Sequence, residues 1–484
     1  MERRETTVWE RENKRRQNSL LMKTLISVLI LILVGLTALL VHELFFHSYQ
    51  NPWADSYTGS IVPGSALVQE SETEEEDFSG QSGETGSNSI ESKANIMASQ
   101  YDYDGAIELL KAQPGFQKNL RRKGLANSYQ AAKGGLVPYP VDQIPHVFFH
   151  TLIADDALAF DGDQDEAGYN QVMTTISEFN SIIEQMYNKG YVMVSLHDMC
   201  SVLPDGTVKE KEILLPPGKT PFVLSQDDCS YYHYMDGDGF ADRLIVDTDG
   251  RVRNSYIEKD GSVSIGSYDV VPLIDDFVEK HPDFSYHGHK GIIALTGYEG
   301  VLGYRTDEVY KTRENSRITK YQQAFFDSHP DFDFDAECAE AKAVADAMKE
   351  EGWEFASHTW GHIAPRERTM ESVRTDNERW QNYVAPIVGE TNVLIFAFGA
   401  DISDWEPYTH ENPLFDYYKS AGFDLYCNVD GSVRYWVQFG NDYMRQGRRN
   451  LDGYRMYYNP ELLSDLFDVS QAWDQNRPVP VPEM

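Results

Sequence analysis

HVFFHTLI (146–153), AGYNQVMTTISEFNSIIEQMYNKG (167–190), YVMVSL (191–196) and PFVLSQDD (221–228) are the segments whose reading decides the fold. Short apolar runs alternate with helix-like stretches, which is the grammar of βαβ units. The unit returns downstream as GIIALTG (291–297), an alanine-rich helix over 336–352, the strand WEFASH (353–358), a helix over 367–384, the strand VLIFAF (393–398), a short helix and FDLYCNV (423–429). Repetition of that unit predicts an α/β domain over 141–484, built as a parallel barrel or an open α/β sheet. An insertion at about 229–290 interrupts it. There DRLIVDTDGRVRNSYIEKDGSVSIGS (242–267) carries the Asp-Gly turns of β-hairpins.

Upstream, residues 94–140 read as a pair of short amphipathic helices, with Ile107, Leu109 and Leu110 on one and Leu120, Leu125 and Ala126 on the next. Residues 42–93 shift to Ser, Glu, Gly and Gln around QESETEEED (69–77), a composition that predicts a disordered acidic linker. Residues 24–41, TLISVLILILVGLTALLV, carry no charge, and as a helix they reach ~27 Å, enough to cross a hydrocarbon core. Arg11, Lys14, Arg15, Arg16 and Lys23 precede that run and Glu43 follows it. The expectation is a single-pass anchor in the cell membrane, with residues 1–23 cytoplasmic and the α/β domain extracellular.

The chain carries 42 Lys+Arg against 77 Asp+Glu, a formal charge of −35, which repels phosphate backbones and argues against nucleic acid as a partner. Cys200, Cys229, Cys338 and Cys427 are too few and scattered for a disulfide scaffold or a zinc ribbon, and read as one bridge or as buried small side chains. The string Asp236-Gly237-Asp238-Gly239-Phe240-Ala241-Asp242 has oxygens at alternate positions but lacks a full calcium loop, and reads as a turn.

Two motifs carry chemistry. Asp227 and Asp228 sit side by side where PFVLSQDD ends, either at the mouth of a barrel or as caps of the following turn. His358 and His362 stand four residues apart directly after another strand, in SHTWGH, where both can meet one ion. An Asp and two His at the same ends of parallel strands make a tridentate site with positions open to water.

In these motifs the sequence resembles the polysaccharide deacetylases, the NodB-homology fold of family 4 carbohydrate esterases. Ser225-Gln226-Asp227-Asp228 is similar to that family's Thr-Phe-Asp-Asp motif, and His358-Thr359-Trp360-Gly361-His362 to its His-(Ser/Thr)-x-x-His motif. The resemblance covers about 145–460 and implies a deformed (β/α) barrel. It implies Asp227 as catalytic base, Asp228, His358 and His362 as ligands of a divalent metal, Zn or another transition metal such as Co, and hydrolysis of N-acetyl groups on an extracellular amino-sugar polysaccharide such as peptidoglycan or an exopolysaccharide.

The family's Arg-x-x-Pro-Tyr motif is reduced to Phe396-Ala397-Phe398-Gly399-Ala400-Asp401, so its arginine is either missing or supplied by Arg445 or Arg448. Its late Leu-x-His motif is not evident, and His150 at the end of the first strand is nominated as the acid. Trp360, Phe398, Trp436 and Arg448 are the candidate substrate contacts. The run MRQGRRNLDGYR (444–455) lines the cleft or pairs with carboxylates. Two rival readings are a non-catalytic glycan-binding module on the same fold and an O-deacetylase.

Overall fold

The computed structural model describes residues 89–314 and 318–483. The chain divides into the units Met1–Ser82 and Gly83–Met484. The expected cytoplasmic tail, membrane run and most of the acidic linker lie outside the described residues. Among the described residues no helix is long and apolar enough to cross a membrane.

Seven parallel strands close into a ring. They are β1 (His146–Phe149), β2 (Thr220–Asp227), β3 (Ile292–Leu295), β4 (Glu354–Ser357), β5 (Val393–Ile395), β6 (Leu425–Val429) and β7 (Met444–Asn450). β1 pairs with β2, β2 with β3, and so on to β6 with β7, and β7 closes the ring on β1. YVMVSL is not a member of the ring. Its Tyr191–Met193 flanks the first residues of β2, while the last residues of β2 pair with β3.

Side-chain alternation sorts each strand into two layers. Val223, Ala294, Ala356, Val393, Ile395, Leu425, Cys427 and Met444 belong to the inner cluster. Val147, Phe149, Phe222, Leu224, Ile293, Leu295 and Phe355 pack outward, where the helices lie. That parity aims His146, Phe148, Ser225, Asp227 and Arg448 into the ring, with His150 and His358 at its end.

The crossover helices are α4 (Ile176–Asn188), α5 (Val270–Lys280), α6 (Phe334–Glu350), α7 (Met370–Tyr383) and α8 (Pro413–Ser420). α4 buries Phe179, Ile182, Ile183 and Met186, an i, i+3, i+4, i+7 stripe, and begins at a capping box of Thr175 and Glu178. That box divides the single helix expected over 167–190 into Glu166–Val172 and α4. The insertion is a three-stranded antiparallel meander (Arg243–Val246, Val252–Ile257, Val263–Gly266), followed by α5, which the hairpin reading had absorbed.

Among the described residues three helices, not two, stand before the barrel: α1 (Ile90–Ser99), α2 (Tyr103–Lys111) and α3 (Leu120–Lys133). α1 begins inside the stretch read as linker because the Ser89 hydroxyl caps it and Ala94 and Ala98 bury against the other two helices. Leu120 is 83% exposed rather than on the packed face. All four cysteines are free thiols.

Candidate active site

The strand ends bring the two motifs together. Asp227 is the last inward residue of β2, and Asp228 leaves the strand at φ 58°, its N–H donating to the Ala294 carbonyl at 3.1 Å. Aspartate tolerates that left-handed geometry, which turns its carboxylate away from its neighbour's. His358 follows β4, and its N–H donates to the Leu295 carbonyl of β3. His358 Nδ1 lies 2.8 Å from the Ile395 carbonyl, an atom that can only accept, so Nδ1 carries the proton and Nε2 is left as a ligand.

The loop from His358 to His362 is strained at two places, Thr359 (φ 62°) and His362 (φ 49°). A β-branched residue there costs energy and persists only where the surroundings over-determine it. Asp376 of α7 does this, accepting from the N–H groups of Trp360 and Gly361 at 2.8 Å each, while the Thr359 hydroxyl accepts from Ile363 N–H. Trp360 packs under the loop with the Arg379 guanidinium 4.4 Å from its ring centroid, and a Cβ on Gly297 would lie 2.1 Å from its Cδ1. Trp360 therefore wedges the loop in place rather than facing a ligand.

Asp228, His358 and His362 offer ligand atoms that all lie within 4.8 Å of one another. Two imidazoles and a carboxylate form a donor set for borderline divalent ions, with coordination positions to spare, so the residues fit a catalytic metal. Tyr232, four residues after Asp228, donates to Asp228 Oδ1 at 3.0 Å and stacks on Tyr298 at 4.6 Å. Burial pushes the His362 imidazole below its usual range, toward the neutral form that a ligand needs. A second trio, Asp163, Asp165 and Asp238, joins the expected turn at 236–242 to an earlier loop with oxygen atoms alone.

Behind the triad, Asp227 is clamped by Arg448 from β7, with Nη1 to Oδ1 at 2.6 Å and Nη2 to Oδ2 at 2.9 Å. Arg448 is 0% exposed, and Phe148 lies 4.2 Å beneath its guanidinium. Burial would raise the Asp227 carboxyl, but the Arg448 charge, with His358 behind it, overrides burial and holds the group well below the usual carboxylate range. Arg448, expected among the substrate contacts, is instead sealed behind Asp227, because a bidentate pair satisfies its fork and closes it off from solvent. Arg445 does not serve there. It pairs with Asp401 at 3.0 Å, and Arg449 pairs with Asp465 at 2.8 Å. The run 444–450 is thus a buried strand whose three arginines each neutralise a carboxylate, not a cleft lining.

His150 lies at the same mouth, its Nδ1 3.1 Å from the Val172 carbonyl, which leaves Nε2 for proton exchange. Phe398, at φ 57° and 73% exposed, meets His362 edge-on at 4.2 Å between ring centroids. Trp436 is half-buried, with Arg445 4.7 Å from its ring centroid. Sequence reasoning missed Tyr232 and Asp376. Tyr232 was legible only as part of an aromatic run after the paired aspartates, and Asp376 as an acid inside an amphipathic helix.

Residues 318–404 match the family model of polysaccharide deacetylases, a span that holds His358, His362, Asp376 and Phe398. No curated protein matches the chain. Among solved structures it is similar to the Streptococcus pyogenes deacetylase PplD in complex with acetate, at 12% identity and a TM-score of 0.35, over 68% of this chain and 98% of that one. It is also similar to a protein from Bacillus anthracis named as a candidate polysaccharide deacetylase, at 10% identity and a TM-score of 0.34, over 70% of this chain and 68% of that one. The family match supports a polysaccharide deacetylase domain, and with it a hydrolase.

Proposed function

We propose that this chain is a metal-dependent hydrolase that removes N-acetyl groups from an extracellular amino-sugar polysaccharide. The observation that carries the reading is the convergence of Asp228, His358 and His362 at one barrel mouth beside an ionised Asp227. A divalent ion there, Zn by donor type, would supply acidity to a water molecule and stabilise charge developing on the acyl oxygen. Asp227 accepts the proton of the attacking water, and Arg448 keeps its carboxylate ionised and aimed. His150 gives a proton to the leaving amine from Nε2. Phe398 stacks against the sugar beside the reacting group.

Arg448 bears on the rival of a non-catalytic module. The absent Arg-x-x-Pro-Tyr arginine and the absent Leu-x-His motif favour that rival, and a guanidinium from another strand meets Asp227 in place of the first. The uncharged run at 24–41 and its basic flank support an anchor that leaves the barrel outside the membrane.

The test is acetate release from N-acetylglucosamine oligomers by the metal-loaded chain, beside Asp227→Asn and His358→Ala. Release abolished in both variants is the expected result. Release only from O-acetylated glycans would make the protein an O-deacetylase. Glycan binding without any release would leave the non-catalytic module.

A further inference from the structure

Next to the triad lies a cleft of about 620 Å³, within the range of small-ligand sites. Its walls come from the loops after β4, β5 and β6, and its lining residue Gly399 directly follows Phe398, the ring that meets His362. Gly399 (φ 64°) cannot be replaced without cost, since a Cβ would lie 2.5 Å from that of Val429. Trp405 stands 76% exposed on the rim and Trp436 lines the wall. With Phe398 they offer three flat faces of the kind that stack on sugar rings.

The polar groups of the cleft are one-sided. Glu367, Asp401, Asp404 and Asp430 line it against the single cation Arg366. Asp401 is neutralised from behind by Arg445, and Arg366 is taken by Asp404 in an exposed pair. Asp430 uses Oδ1 for the backbone and hydroxyl of Ser432, and no cation among the described residues pairs with Asp430 or Glu367. Asn428 adds a buried Oδ1 with no donor. The whole chain is acidic, so the carboxylates alone would mean little. Their place between exposed rings, beside a deacetylase-like mouth, gives them a ligand.

We infer that this cleft is a subsite for an already deacetylated, cationic amino-sugar residue of the same polymer. An ammonium brings three donors to a wall whose charged groups are four carboxylates and one guanidinium that is itself paired, while a carboxylate- or phosphate-bearing glycan would be repelled. The inference deepens the proposed function and rests on it for the identity of the polymer. Deacetylation next to an existing free amine would then be favoured, and free amines would accumulate in blocks.

The test is calorimetric titration of the full-length chain, with chelator present to prevent turnover, using glucosamine pentaose and N-acetylglucosamine pentaose below the pKa of the sugar amine. The glucosamine oligomer is expected to bind about five-fold or more tightly, as one partly exposed ion pair allows. Asp430→Asn and Glu367→Gln should each remove most of that preference while sparing the acetylated oligomer, and Trp405→Ala should weaken both ligands. Equal affinities, or a preference untouched by both carboxamide variants, would overturn the subsite. Binding preference without acetate release from any substrate would leave the subsite standing and remove the deacetylase reading. Release without preference would do the reverse.

Discussion

Arg448→Met tests whether the buried guanidinium holds Asp227 ionised. The arginine is fully buried, its carboxylate partner is 4% exposed, and both hydrogen bonds of the fork are short. Removing one member of such a pair strands a buried charge, at a cost of about 3–5 kcal/mol. Urea unfolding of the chelated protein at pH 7 should show that loss with an unchanged slope.

The sign with pH follows from the depressed carboxyl. Its stabilisation is fully present above the unfolded value of about 3.9 and is lost as pH falls through the lower folded value. In the variant burial raises the same carboxyl with no countercharge to override it, so the deficit should be largest at and above neutral pH, shrink as pH falls through that raised value, and go on shrinking below about 4. Asp227→Asn on the Arg448→Met background should recover part of the loss, because no buried charge then remains. An Arg448→Met protein within about 1 kcal/mol of wild type at pH 7, or a deficit that ignores acid, would refute the pairing.

Asp376→Ala removes both acceptors under the strained loop. It should cost about 1–3 kcal/mol in urea unfolding and weaken metal binding about 10- to 100-fold in competition with a chromophoric chelator. Asp307 caps a short helix in a buried position, and burial raises its carboxyl to about 6. Its folded value exceeds the unfolded one, so the stability it contributes is full below about 3.9 and falls as pH rises through about 6, by about 3 kcal/mol in all. Asp307→Asn should flatten that slope in unfolding midpoints taken from pH 4 to 7. Phe398→Ala should raise KM for acetate release several-fold while leaving stability within about 0.5 kcal/mol, because the ring is 73% exposed.

The barrel was legible because its strands are short apolar runs at βα spacing, and the triad because His358 and His362 are close in sequence. What escaped was anything that ring closure creates. The alternative of Arg445 or Arg448 included the guanidinium that meets Asp227, but β7 meets β1 only when the barrel shuts, so nothing in the spacing chose between the two arginines. The run 444–455 reads either as a cleft lining or as partners of carboxylates because Asp401, Asp227 and Asp465 are scattered along the chain. Trp360 looked like a sugar platform because the motif is local, whereas its packing against Gly297 and Arg379 comes from other elements.

Charge accounting inside the ring explains why an arginine can stand so deep. His146 lies between Ser225 and Gln446 at 2.9 and 3.1 Å, and burial together with the Arg448 charge drives its imidazole well below the usual range. It stays neutral, so Arg448 faces one carboxylate and no second cation. At the mouth, the carboxylates of Asp227 and Asp228 outnumber the Arg448 guanidinium, a setting that attracts a dication. Without Arg448 the Asp227 carboxyl would be left to burial, which raises it toward the protonated form. The guanidinium thus keeps Asp227 in the charged state that the proposed base needs.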